Sequence, residues 1–385
     1  MENIYLDNNA TTKVDPRVLD KMVPYLQENY GNASSIGHNY GKEAKKIIDY
    51  SKRVISKILN ANANEIIFTS GATESLNLGI KGVISNSKID NPHIITFKTE
   101  HKAVLDTCLF LEESGVNVDY LDVQTDGSVD LERFIQSIND NTVLVVLLHA
   151  NNEIGTINPI RTIGRICKEN NIPLLVDAAQ SFGKIPIDVQ NDFISMLAGS
   201  GHKIYGPKGV GFLYKNKNIH ITPLMHGGGH EMGYRSGTLN VPGILGLSEA
   251  ATICQELYKK DKKHINDLSS QFMEHLSNAN IDFIINGPKV NRLLGNINIS
   301  LVGVDATWLT TMIPEIAIAR GSACTSDTIQ PSHVLRAIGL KDELSDSAIR
   351  VSIGRFNNSK EIKIAAETIV EKSKEYINKR LIMNL

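Results

Sequence analysis

Between residues 60 and 215 the chain alternates short apolar runs with longer stretches in which apolar positions recur every three or four residues. The runs at 66–68, 93–97, 143–148 and 173–176 are rich in Ile, Val and Leu, with little polar alternation. Runs of this kind predict strands of a parallel sheet covered on both faces. A further apolar stretch lies at 193–197. Segments 73–85 and 160–170 have the spacing of amphipathic helices. Alternating strands and helices predict a doubly wound α/β domain, with ligands bound at the carboxyl ends of its strands.

From about Val241 a long helical pattern runs toward Ser277, and its lysine-rich middle, 259–263, reads as a solvated face. Beyond it, 296–301 alternates at period two, and Ile362, Ala366, Ile369, Val370 and Ile377 recur at helical spacing. These predict a strand and a helix of an α+β C-terminal domain. Pro314, Pro331 and the glycines at 227–229 punctuate loops.

A length of 385 residues suits a large domain with a smaller one beside it. A net charge of -2 gives no electrostatic reason to expect nucleic acid or an anionic membrane as partner. No apolar run approaches the roughly 20 residues of a membrane span. Residues 1–7 show neither the basic nor the apolar region of a secretory signal. Cys108, Cys167, Cys254 and Cys324 are scattered, with no C-x-x-C pair, which predicts reduced thiols in the cytoplasm.

Candidate chemistry gathers at predicted strand ends. Leu174-Leu175-Val176-Asp177 reads as a buried strand ending in an acid, and Ser200-Gly201-His202-Lys203 follows the next apolar stretch. A carboxylate and an amine so placed can face opposite ends of a pyridoxal phosphate ring. The amine forms an imine with the aldehyde, and the acid keeps the pyridine nitrogen protonated. A surface lysine after an ordinary strand is the other reading. Ser70-Gly71-Ala72-Thr73-Glu74-Ser75 opens a helix, and its N–H groups suit a phosphate dianion or a simple cap. His101, after the strand at 93–97, can stack on a ring and move protons near neutral pH. At 149–155, side-chain amides can orient a ring oxygen. His226 and His230 are four apart, but three glycines between them argue against the rigid helix a metal pair needs. Cys324 sits in a loop of small residues, Arg320-Gly321-Ser322-Ala323-Cys324-Thr325-Ser326, that leaves a thiol accessible. The other cysteines fall in helical patterns and read as packing. Arg350 is placed on a predicted strand, where its planar fork can grip a carboxylate.

Together these motifs resemble the NifS/IscS-type cysteine desulfurases, fold-type I pyridoxal-phosphate enzymes of the class-V aminotransferase kind. The resemblance runs from Asp7-Asn8-Asn9-Ala10-Thr11-Thr12 through Gly71–Ser75, Glu100-His101, Asn151–Gly155, Asp177–Gln180, His202–Gly209 and Arg235–Thr238 to Gly321–Ser326. It implies a mainly parallel seven-stranded sheet in a large domain, 15–250, and a small domain of 1–14 with 251–385. It implies pyridoxal 5'-phosphate bound to Lys203, with Asp177 on the pyridine nitrogen, Gln180 on the phenolic oxygen and His101 stacked on the ring. Ala72, Thr73, Ser200 and His202 hold the phosphate in the family, Asn152 lies beside the cofactor, and Thr238 reaches the phosphate of a neighbouring subunit in a homodimer. Arg350 matches the arginine that binds the substrate carboxylate. Cys324 matches the nucleophile that takes sulfur from L-cysteine as a persulfide, releasing alanine. That persulfide passes to an iron–sulfur scaffold or another sulfur acceptor and can meet a nascent cluster there; the chain has no metal site of its own in this reading. A selenocysteine lyase or an aminotransferase is the alternative.

The chain departs from the family pattern in places. Gly201 stands where Ala is usual, a small loosening. His230-Glu231-Met232 replaces Gln-Glu-Arg, and Arg320 replaces a common Ser, where its charge is expected to lower the Cys324 pKa.

Overall fold

The computed structural model describes residues 3–320 and 332–383. A short strand β1 (Ile4–Tyr5) leads into helices α1 (Pro16–Gln27) and α2 (Asn39–Leu59). The large sheet is then built from β2 (Ile66–Thr69), β3 (His93–Phe97), β4 (Asn117–Leu121), β5 (Thr142–Leu148), β6 (Leu174–Asp177), β7 (Met196–Ser200) and β8 (Gly211–Lys215). Helices α3 (Ala72–Asn86), α4 (Lys102–Glu112), α5 (Leu131–Ser137) and α6 (Ile160–Glu169) alternate with them. Spatial order is β2-β8-β7-β6-β5-β3-β4, and only β8 runs antiparallel to its neighbours.

Each interior strand divides its side chains between two cores, as period-two geometry requires. Phe68, Val145, Leu147, Leu174, Val176, Leu197 and Phe212 enter one core with Val18, Ile55 and Ile163. Ile67, Leu144, Val146, Leu175, Met196 and Leu213 enter the other with α3 and α4. Because both faces are covered, the strands carry no polar alternation. Fully burying each such side chain stabilises the fold by about 1.5–3 kcal/mol.

The apolar stretch at 193–197 is only partly strand. Phe193 adopts a left-handed backbone with φ 56°, and the Ile194 N–H closes a turn onto the Val189 carbonyl at 3.0 Å. The apolar run therefore starts in a turn, and β7 extends to Ser200.

Helix α7 (Val241–Asn278) contributes Ile244, Ala250 and Cys254 to the first core, and its later residues Leu268, Phe272 and Leu276 to another. That third core gathers Ile4 and Leu6 with β9 (Phe283–Ile285), β10 (Asn296–Leu301), α8 (Ala306–Met312), β11 (Ile316–Ala317), β13 (Ala348–Ser352) and α11 (Ser359–Met383). Strand β12 (Ala319–Arg320) joins its sheet, while α9 (His333–Ala337), which precedes α10 (Asp342–Asp346), packs Val334 and Leu335 into a smaller core with Ile154, Ile338 and Ala348. The order in the smaller sheet is β12-β13-β10-β9, antiparallel throughout, while β1 pairs with β11. Residues 7–12 cross back to the large sheet. The Asn8 N–H donates to the Ser352 carbonyl at 3.2 Å, and the Thr12 N–H to the His202 carbonyl at 2.9 Å. Among the described residues no helix is long and apolar enough to cross a membrane.

Candidate active site

At the carboxyl ends of β5, β6 and β7 a cavity of about 490 Å³ opens beneath residues 9–11. Such a cleft is where an open α/β sheet places its ligand, because the βα loops diverge there. Asp177, Lys203, His101, Gln180, Asn152 and Arg350 all line it, brought together from widely separated parts of the sequence.

Asp177 ends β6 and is almost wholly buried. Its Oδ1 accepts the Ala179 N–H at 2.9 Å. Burial pushes its carboxyl pKa up, against the pull of His101, that N–H and Lys203. A buried acid in this state favours either a proton or a cationic partner, and a pyridinium N–H is such a partner. Lys203 follows β7 in a short turn, and its Nζ donates to the carbonyls of Asn9 and Ala10, both at 2.7 Å. Gln180 is buried beside it and donates through Nε2 to the same Asn9 carbonyl at 2.7 Å.

At the far end of the cavity, helix α3 starts at Gly71 without any side-chain cap. The N–H groups of its first turn thus keep their hydrogen-bonding capacity and the positive end of the helix dipole. Gly211 is needed there: a Cβ on it would lie 2.6 Å from the Gly71 Cα and from the Gly199 carbonyl oxygen. Thr73, Ser200, His202 and Lys208 surround the same end. His202 Nδ1 lies 3.1 Å from the Thr11 hydroxyl, and burial, with Lys203, Lys208 and Lys184 nearby, pushes its pKa down to about 4. Glu74 braces the turn. It accepts the Ser70 N–H at 2.7 Å and pairs with Arg235 at 2.8 Å. Burial alone would raise the Glu74 pKa, but those bonds outweigh it and hold the carboxyl below its usual range. Uncapped helical N–H groups, neighbouring cations, a buried acid and a lysine amine form a donor set that fits pyridoxal phosphate.

Arg350, on β13, reaches the cavity from the smaller sheet and is almost fully buried. Its guanidinium donates to Asp7 Oδ1 at 2.7 Å and to the Asn152 carbonyl at 3.2 Å, while its buried Nε has no hydrogen-bond partner among the described residues. The Asp7 pair makes a buried cation tolerable, and the remaining donor capacity suits an incoming carboxylate. His101 caps α4 by accepting the Ala103 N–H on Nδ1 at 3.1 Å, so a neutral ring carries its proton on Nε2.

Several residues have roles that their sequence positions did not announce. Asn9 and Ala10 act through backbone carbonyls, and Asp7 acts as the counter-ion of Arg350. Within 149–155, the Asn151 amide closes a turn, bonding Thr99, Glu153 and Ile154, so only Asn152 faces the cavity. Thr238 is exposed and lies outside the cavity lining. Cys324 lies outside the described residues. Arg320 is exposed on β12 and donates to the Thr307 hydroxyl at 2.8 Å. Glu231, in the segment that departs from the family pattern, is buried, accepts the Phe68 N–H at 2.8 Å and pairs with Lys52 at 2.9 Å. Gly201 is no loosening, since a Cβ there would meet the Pro207 carbonyl at 2.9 Å.

His149, at the end of β5, is buried with no partner for Nδ1 among the described residues, and burial pushes its pKa from 6.5 down to about 4. The unfolded chain protonates near pH 6.5 and the folded one only near 4, so stability is full above 6.5 and is lost as pH falls toward 4. A difference of this size is worth on the order of 3 kcal/mol at the acid end. Urea midpoints measured at pH 7 and pH 4.5 are expected to fall less in His149→Gln than in the unchanged chain. Equal losses would remove His149 as a source of acid sensitivity.

Comparison with known proteins places the chain in a family. The model of the family described as aminotransferase class-V matches residues 4–364. A protein of Rickettsia bellii (strain OSU 85-389) named cysteine desulfurase IscS is 46% identical over 371 residues, covering 96% of this chain and 90% of its own. Among solved structures, one titled NIFS-like protein superposes with a TM-score of 0.90 at 36% identity, covering 96% of this chain and 98% of its own. Another, titled SspA in complex with cysteine, gives a TM-score of 0.81 at 36% identity over 92% of this chain and all of its own. With the fold and nearly the whole chain in agreement, the protein belongs to the class-V aminotransferase family of fold-type I enzymes.

Proposed function

We propose that this protein is a cysteine desulfurase, which removes sulfur from L-cysteine and releases L-alanine with pyridoxal 5'-phosphate as cofactor. The observation that carries the reading is one cavity lined by the Lys203 amine, the buried Asp177 carboxyl and the incompletely bonded Arg350 guanidinium. The similarity to relatives named cysteine desulfurase IscS supports it independently.

In this reading the uncapped start of α3, with Thr73, Ser200 and His202, would hold the phosphate, and Asp177, Gln180 and His101 would hold the ring. When bound, the cofactor supplies an electron sink that lets bonds at the substrate's carbons break. Arg350 grips the substrate carboxylate beside Asn152. Lys203, steered by the Asn9 and Ala10 carbonyls, carries protons to and from the substrate carbons. Cys324 contributes a thiolate that accepts the sulfur atom as a persulfide, and the carbon left behind takes a proton to become alanine. The persulfide then passes to an iron–sulfur scaffold or another acceptor protein. The exposed Thr238 is assigned to the neighbouring site of a homodimer. The larger domain spans 15–250 and the smaller 1–14 with 251–385, a division supported by the separate apolar core that the smaller sheet forms with the later part of α7.

A product assay tests the reading. With L-cysteine and the cofactor, alanine is expected in a one-to-one ratio with transferred sulfur. Removing a charge-assisted carboxylate contact costs about 2–4 kcal/mol, so Arg350→Leu is expected to lower kcat/KM by roughly 30- to 1,000-fold. Alanine absent from the products would overturn the proposal.

A further inference from the structure

Lys184 lies four residues beyond Gln180 in the turn that follows β6, and none of the steps above uses it. Its Nζ donates to Gln180 Oε1 at 3.1 Å. Gln180 Nε2 donates to the Asn9 carbonyl at 2.7 Å, and Lys203 Nζ donates to that same carbonyl at 2.7 Å. A hydrogen-bonded chain thus runs from Lys184 through Gln180 and Asn9 to Lys203. A protonated lysine only donates. With Lys184 protonated, the oxygen end of the Gln180 amide faces it, and the nitrogen end faces Asn9 and the cavity.

The surroundings make this lysine costly to keep. Tyr205, together with Cys254, Tyr258 and Asp261 of α7, lines a small pocket with Lys184. Among the described residues no carboxylate lies within ion-pair distance of its amine; Asp261 pairs with Arg355 at 2.8 Å. Burial and the nearby Lys203 charge push the Lys184 pKa down to about 7, with Cys254 opposing. A methionine of similar length would avoid that desolvation. The contact that only the lysine supplies is the one to Gln180.

We propose that Lys184 is a positioning residue that locks the Gln180 amide with its N–H groups toward the cavity, where they stabilise the anionic ring oxygen of bound pyridoxal phosphate. The inference rests on the functional reading above and adds a residue to it. Losing N–H donation to an anionic oxygen raises the proton affinity at that end of the cofactor, and losing a nearby cation acts in the same direction.

The test is a spectroscopic pH titration of purified holoenzyme without substrate, following the absorbance of the bound cofactor. In Lys184→Met the titration midpoint is expected to rise by about one unit, a tenfold change in proton affinity. In Lys184→Arg, which keeps an obligatory donor, it is expected to stay within about 0.3 unit of the unchanged protein. A lysine with a merely structural role would lower the thermal midpoint and leave the titration in place, and that result overturns the inference. Should Lys184→Met not fold, Lys184→Gln replaces it: its amide can offer either end to Gln180, so the midpoint again rises, and an unchanged midpoint again overturns the inference. Failure of the unchanged protein to take up pyridoxal phosphate would overturn the functional reading as well, which separates the two failures.

Discussion

In Lys203→Ala, turnover of L-cysteine is expected to fall by about 10⁴-fold or more, the range lost when a covalent and proton-transferring group is removed together. The amine is held against both the Asn9 and Ala10 carbonyls, at 2.7 Å each, so its position is set by backbone that the substitution leaves in place. Water entering the space left by the side chain cannot form the covalent link to the cofactor. The start of α3 and the buried Asp177 are untouched, so the variant is expected to bind the cofactor without attachment. Borohydride treatment and mass analysis should find the cofactor's mass added to the unchanged protein and not to Lys203→Ala. Partial rescue of turnover by added methylamine is the further outcome that a missing amine predicts. Covalent attachment that persisted in Lys203→Ala would move the role to another residue.

Much of this arrangement was legible before any coordinates. Uniformly apolar runs mark strands buried on both faces, and Asp177 stands out because an acid directly follows one of them. Lys203 stands out in a similar way, placed just past the next apolar stretch. Other parts carry no such mark. Backbone carbonyls have no residue signature, so the grip of Asn9 and Ala10 on Lys203 could not be read. The Asp7–Arg350 pair joins residues 343 apart, and nothing local ties them. Glu231 and Lys184 belong to residue types that are usually solvated, and only tertiary contacts reveal one bonded to the β2 backbone and the other to Gln180. The antiparallel β8 was hidden as well, because strand direction leaves no trace in an apolar pattern.

The second large effect concerns Cys324. In Cys324→Ala, transfer of sulfur from L-cysteine is expected to fall by at least about 10³-fold, because a thiolate is the nucleophile and no other thiol can stand in for it. The chain has four cysteines. Cys108, Cys167 and Cys254 are all buried in helices α4, α6 and α7. Burial pushes the thiols of Cys108 and Cys167 up to about 12 and raises that of Cys254 despite the Arg355 guanidinium beside it. At neutral pH a thiol of pKa 12 is ionised in about one molecule in 10⁵, against roughly 3% for an ordinary thiol at pH 7. None of the three lines the cavity. The measurement is persulfide trapping with a thiol-alkylating reagent followed by peptide mass analysis, with alanine counted in parallel. In the unchanged protein the persulfide label is expected on the peptide carrying Cys324 alone. An enzyme of the aminotransferase kind has no chemical need for a thiol, so undiminished turnover in Cys324→Ala would replace desulfuration with amino-group transfer at the same cavity.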